Sequence, residues 1–171
     1  MRFIFGLALA AATTPTAFAV DYYAGIDAAY LRIPVADANF GGLGLKLRAG
    51  ATHTSGWGVE VQTLAGIGDD SVGTLTLQAD NLTAAFLRYE TNQGNDFRFF
   101  AVAGYAATSL SFEGPSTDGL EDSLSGFAYG FGAQEKLEWL PSTTAVLEFN
   151  SFFHDSNVDI WAVSFGLRYD F

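Results

Sequence analysis

No cysteine occurs in the 171-residue sequence. Disulfides, thiolate metal sites, a cysteine nucleophile and an acylated lipoprotein anchor are therefore excluded. Basic residues are scarce, with eight Lys and Arg against 19 Asp and Glu, for a net charge of −11. A nucleic-acid partner is not expected, because no basic surface is available to neutralise phosphates. Also missing is any uninterrupted apolar run near the ~20 residues that a membrane helix needs, although 49% of the residues are hydrophobic. Any membrane crossing must then be made by strands.

What is present fits that alternative. The length suits one domain, and the 19 Gly and 16 Phe are high for a soluble chain. Residues 1–19 read as a secretory signal peptide, with Arg2 as the basic start, Phe3 to Ala12 as the apolar core and Ala17-Phe18-Ala19 as a small-x-small cleavage site. Its removal takes away Arg2 and leaves residues 20–171 as a single domain of charge −12, from −11 − 1.

From Val20 onward the apolar pattern has period two, which places alternate side chains on opposite faces of a strand. The last stretch, Val158 to Phe171, is the clearest. Trp161, Val163, Phe165, Leu167, Tyr169 and Phe171 share one face, and Ile160, Ala162, Ser164, Gly166, Arg168 and Asp170 the other. Similar segments run over Tyr22–Arg32, Phe40–Gly50, Trp57–Ile67, Thr74–Glu90, Phe97–Phe112, Ser123–Leu137 and Thr144–Phe153. The fourth is irregular, because Asn81 and Thr83 interrupt its apolar parity; a bulge or an extension beyond the membrane explains this. Pro34–Asn39, Gly68–Gly73, Glu113–Asp122 and His154–Asn157 read as loops, and Thr52–Ser55, Thr91–Asp96 and Trp139–Ser142 as shorter turns.

Three features decide which face points out. All basic residues after residue 19 except Arg32 fall on the Gly-rich face. Asp27, Glu60 and Glu148 share that face with them. Tyr22, Tyr30, Trp57, Tyr89, Phe97, Phe153, Trp161, Tyr169 and Phe171 lie near strand ends on the apolar face, as interfacial aromatic girdles require. A soluble barrel has the opposite arrangement. The expected fold is all-β, an eight-stranded antiparallel up-and-down transmembrane β-barrel.

The sequence resembles the small bacterial outer-membrane β-barrel family of OmpA-type transmembrane domains, OmpX-like and opacity-type proteins. The resemblance rests on the leader, on F-F-A-V-A-G-Y at Phe99–Tyr105, on F-A-Y-G-F-G-A at Phe127–Ala133 and on the ending G-L-R-Y-D-F at Gly166–Phe171. It implies an outer-membrane location with lipid and lipopolysaccharide as surroundings. It also implies recognition of Phe165, Leu167, Tyr169 and Phe171 by barrel-assembly machinery, and a monomer without cofactors. The envelope-tethering role of full OmpA-like proteins, which carry a peptidoglycan-binding domain, is not implied.

Three chemistries are candidates. Asp27, Glu60 and Glu148 against Lys46, Arg48, Arg88, Arg98 and Arg168 form either an interior charge network or the lining of a narrow solute path. An eight-stranded barrel is only just wide enough for its own side chains, which favours the network. Loop carboxylates at Asp37, Asp69, Asp70, Glu113, Asp118, Glu121, Asp122 and Asp155 form either a solvated rim or oxygen ligands for divalent cations, though without EF-hand spacing. His154-Asp155-Ser156-Asn157 resembles the H-x-S-N motif of outer-membrane lipid A 3-O-deacylases, which would make His154 the base and Ser156 the nucleophile. Against that, Ser164–Leu167 offers no orienting acid, the two side chains continue the inward parity of Glu148 and Asn150, and H-D-S-N is ordinary turn chemistry. The expected function is a non-enzymatic, structural or surface-interaction role in the envelope. The deacylase and a narrow porin-like channel are the alternatives.

Overall fold

The computed structural model describes residues 20–35, 38–65, 70–72, 75–79, 81–91, 94–113, 120–153 and 160–171. All regular structure in them is strand: β1 (Val20–Val35), β2 (Ala38–His53), β3 (Trp57–Ala65), β4 (Asp70–Val72), β5 (Leu75–Ala79), β6 (Leu82–Glu90), β7 (Phe97–Glu113), β8 (Leu120–Lys136), β9 (Thr143–Phe152) and β10 (Ile160–Asp170). Each neighbouring pair is antiparallel. The order β7-β6-β3-β2-β1-β10-β9-β8 closes through a β7–β8 ladder into an eight-stranded barrel. Closure by β10 on β1, from Tyr23 opposite Asp170 to Arg32 opposite Trp161, leaves no free edge in the ring.

Strands run further than the sequence pattern indicates. Pro34 pairs with Asn39 and Val35 with Ala38, so the expected 34–39 loop is a continuation of the β1–β2 ladder. Likewise β7 and β8 stay paired out to Phe112 opposite Leu120, well into the expected 113–122 loop. The irregular fourth segment is divided. β6 belongs to the ring, while β4 and β5 form a separate hairpin whose strand β5 pairs with the outer part of β7. Between the pairs Ala79–Leu110 and Thr83–Ala107, three positions on one strand face two on the other. That extra position is a β-bulge, and it resets the parity that Asn81 and Thr83 disturb.

At one end of the barrel the connections are tight turns. Gly56, with φ of 90°, makes the β2–β3 turn, and its carbonyl accepts from the Glu90 N–H. A side chain there would run into the Glu90 carbonyl, so only glycine suits the position.

The outward parity is mostly apolar: Ile26, Leu43, Leu45, Leu47, Val59, Val61, Leu87, Phe99, Phe131, Leu147, Phe165 and Leu167 are all exposed. Aromatic pairs mark its borders, with Trp57 and Tyr89 4.9 Å apart and Tyr169 and Phe171 5.3 Å apart between ring centroids. Arg32 points outward with its guanidinium 5.8 Å from the Trp161 ring, as expected for a cation at a strand end. Phe153 departs from expectation. It does not join the outer girdle but is fully buried, because a φ of 63° breaks the alternation after Phe152 and turns both rings inward. Gly126 lies beneath it and leaves room for the turn.

Candidate functional site

Among the described residues the fold concentrates charged side chains in the lumen, and the period-two pattern puts them there. Inward positions on β1, β2, β3, β6, β9 and β10 carry Asp27, Lys46, Arg48, Glu60, Arg88, Glu148 and Arg168, each no more than 3% exposed. Arg98 on β7 sits nearer the short-turn end and is slightly more open. All eight residues picked out from the sequence therefore face one interior.

Their pairings link neighbouring strands along the wall and, through Glu148 and Glu90, also cross the barrel. Lys46 Nζ on β2 lies 2.8 Å from Glu148 Oε2 on β9 and 3.2 Å from Asp27 Oδ2. Arg48 pairs with Asp27 and places Nη2 2.8 Å from Glu148 Oε2. Arg88 Nη1 donates to Glu60 at 3.1 Å, and the Tyr23 hydroxyl donates to the same carboxylate oxygen at 2.7 Å. Neutral amides fill the gaps: Gln62 Nε2 donates to Glu60 at 2.6 Å and to Glu148 at 2.9 Å, and Asn150 Nδ2 to Glu148 at 2.9 Å.

One central member is absent from the sequence reading. Glu90, 1% exposed, accepts from Arg88 Nε at 2.9 Å, Arg168 Nη1 at 2.8 Å and Arg98 Nη1 at 3.0 Å. It closes the disturbed fourth segment, yet its parity with Arg88, two residues before it, was a usable signal. With Asp170 2.8 Å from Arg168 Nε, the lumen holds five bases and five acids, so its formal charges cancel. Buried ions unpaired by even one partner are costly, and this matching removes that cost. Arg88 also stacks 3.7 Å over the Phe100 ring and Arg168 4.2 Å over the Tyr23 ring.

Glycine makes the crowding possible. The cross-strand neighbour of Tyr23 is Gly50, of Arg48 Gly25, of Asp27 Gly166, of Arg88 Gly58, of Glu148 Gly132 and of Asn150 Gly130. A methyl group at Gly166 would collide with the Asp27 carboxylate, and one at Gly130 with the Asn150 amide. Each of these six side chains thus lies across a position with none.

Toward the end with the longer connections the lumen is not polar, contrary to the expected small and charged interior. Leu31, Leu64, Leu82, Phe152, Phe153 and Ile160 are at most 1% exposed and pack as one cluster with Ala29, Phe86, Val102 and Ala162. The ion pairs and this plug occupy successive levels of the interior. The arrangement holds eight strands in one register; it offers no polar path from end to end among the described residues.

The other candidates fare differently. His154 and Ser156 lie outside the described residues, as do Asp37, Asp69, Asp118 and Asp155. The left-handed backbone at Phe153 interrupts the strand alternation at the last described residue before the motif. No cluster of three metal-ligating side chains occurs among the described residues. Phe165, Leu167, Tyr169 and Phe171 all project outward from the closing strand.

No family model and no curated protein matches the sequence. Solved structures do match. Ail, the attachment invasion locus protein of Yersinia pestis, is 17% identical with a TM-score of 0.62 over 88% of this chain and 98% of that one. Neisserial surface protein A is 14% identical with a TM-score of 0.62 over 88% and 97%. The outer membrane protein OprG from Pseudomonas aeruginosa is 14% identical with a TM-score of 0.62 over 89% and 95%. The chain therefore has the fold of the small outer-membrane barrels it resembles in sequence pattern.

Proposed function

We propose that this protein is a non-enzymatic barrel of the bacterial outer membrane, exported by its leader, monomeric, and serving as a closed structural or surface-presenting element rather than a conduit. The observation that carries the reading is the pairing of an apolar exterior with a filled lumen. The exterior is a continuous band of Leu, Val, Phe, Tyr and Trp, far beyond the few hundred Å2 of apolar patch that a water-soluble monomer tolerates. Hydrocarbon removes that objection, and a closed ring of ladders satisfies the backbone polar groups that lipid cannot. Inside, matched ion pairs and the apolar plug occupy successive levels, which favours a closed interior over a through-going path. Lipid and the acyl part of lipopolysaccharide are the partners such a wall fits, and the outward apolar ending from Phe165 to Phe171 suits capture by assembly machinery.

Functions suggested by the names of the matched structures, such as attachment, need outer surfaces of their own. The paired extensions of β1–β2 and β7–β8, with the β4–β5 hairpin, are where this chain would present one. Two measurements test the reading. Envelope fractionation should place the protein in the outer membrane with the heat-dependent gel shift of a folded barrel, and planar-bilayer recording should give no stable conductance. A sustained, protein-dependent conductance would replace the closed wall with a channel. Loss of an acyl chain from lipid A in expressing cells, abolished by His154→Ala, would replace it with the deacylase.

A further inference from the structure

A cavity of about 410 Å3 opens at the short-turn end of the barrel, below the ion-pair network. Its inner wall is buried Thr52, Glu90 and Arg168, and exposed Asp21, Asp96 and Lys136 stand at its mouth. We propose that this vestibule binds a small zwitterion of the amino-acid or short-peptide class, with the carboxylate toward Arg98, Lys136 and Thr52 and the ammonium toward Asp21 and Asp96. The proposal does not depend on whether the barrel conducts.

Three donors in the vestibule lack acceptors. Arg98 spends only Nη1, on Glu90 at 3.0 Å, and its buried Nε has no hydrogen-bond partner. The Thr52 hydroxyl is without a partner although the residue is only 3% exposed. Lys136 makes no ion pair among the described residues. A buried donor left unbonded costs free energy that a ligand oxygen would recover. A carboxylate, with about four acceptor sites, matches donors arriving from three strands.

Charge excludes the simpler ligands. The lining carries Arg98, Lys136 and Arg168 against Asp21, Glu90, Asp96 and Asp170, or three positive and four negative groups, a net of −1. Glu90 and Asp170 are engaged by Arg88, Arg98 and Arg168. That leaves Asp21 and Asp96, which make no ion pair among the described residues, facing the spare donors. A plain anion would meet these two carboxylates, and a plain cation would leave the donors dry. A molecule with both charges satisfies both sets. The volume is in the range of small-molecule sites and too small for a folded partner.

The test uses the full barrel folded in detergent micelles, with amide shifts of Gly94 and Asn95 as the readout. Glycylglycine is the probe, and acetate and methylammonium are titrated separately at matched ionic strength. The proposal expects saturable millimolar binding of glycylglycine, weaker binding of either single-charge probe, and a loss on the order of fivefold in Lys136→Met, the scale of one exposed ion pair. Thr52→Val, which keeps the side-chain shape, should also weaken binding. Lys136 is exposed, so its replacement leaves the fold intact. Absence of saturable shifts, acetate binding as tightly as glycylglycine, or unchanged affinity in both variants would overturn it.

Discussion

At Glu90 one carboxylate serves three guanidinium groups, so its loss leaves three buried cations short of a partner. Glu90→Ala should lower unfolding stability in lipid vesicles by about 3–5 kcal/mol, the scale of a broken buried pair. Glu90→Gln, which keeps acceptor oxygen in place, should cost distinctly less. Urea titration followed by tryptophan fluorescence measures both, and equal, small losses would show that the lumen re-solvates freely. The glycines make a complementary prediction. Gly166→Ala drives a methyl into the Asp27 carboxylate and the Ile26 carbonyl, so it should cost about 1–3 kcal/mol by overpacking. At Gly94, which has nothing nearby, the same change should be close to neutral in the same titration.

Among the elements, β4 and β5 are dispensable to the ring. β3 pairs directly with β6 from Trp57 opposite Tyr89 to Leu64 opposite Leu82, and the hairpin between them hydrogen-bonds to β7 and lies near β2. Replacing residues 66–81 by a short turn should therefore leave a barrel that still shows the heat-dependent gel shift. A variant that runs only as unfolded protein would mean that the hairpin is needed for closure. The closing strand is the opposite case, since β10 bonds β1 along ten consecutive residue pairs and no other strand can substitute. At this scale much was legible. Seven segments of alternating residues became ring strands directly, because one face must be apolar in every one of them. The strand extensions past residues 34–39 and 113–122 were not legible: beyond the apolar belt neither face is selected, so alternation fades while the ladder continues.

For the molecule as a whole, the lumen is shielded from solvent ions, and its pairs are screened far less than surface pairs. Stability in vesicles should change little between low and physiological salt, as read from the urea midpoint; a steep fall with salt would mean that the network is water-filled. The apolar plug also bears on this scale. Substituting both Phe152 and Leu82 with Ala should loosen the loop-side half and speed hydrogen exchange of inward-facing strands there, while amides beside the ion pairs stay protected. Exchange rising evenly along the barrel would show that the two levels are one cooperative unit.

By itself the sequence determined the class of fold, the two faces of the last strand and the eight interior charges, because strand alternation is local and the aromatic, basic and Gly-rich positions obey it without reference to partners. Only the tertiary structure decided which charges meet. Lys46 reaches Glu148 and Arg168 reaches Glu90 across the lumen, and such contacts depend on the stagger with which eight strands close rather than on any spacing along the chain. The same holds for Phe153, whose left-handed backbone is a concession to packing over Gly126, and for the vestibule at the short-turn end, which exists because turns from distant segments gather around one ring. Local periodicity sets the face of a side chain; closure of the ring sets its neighbours.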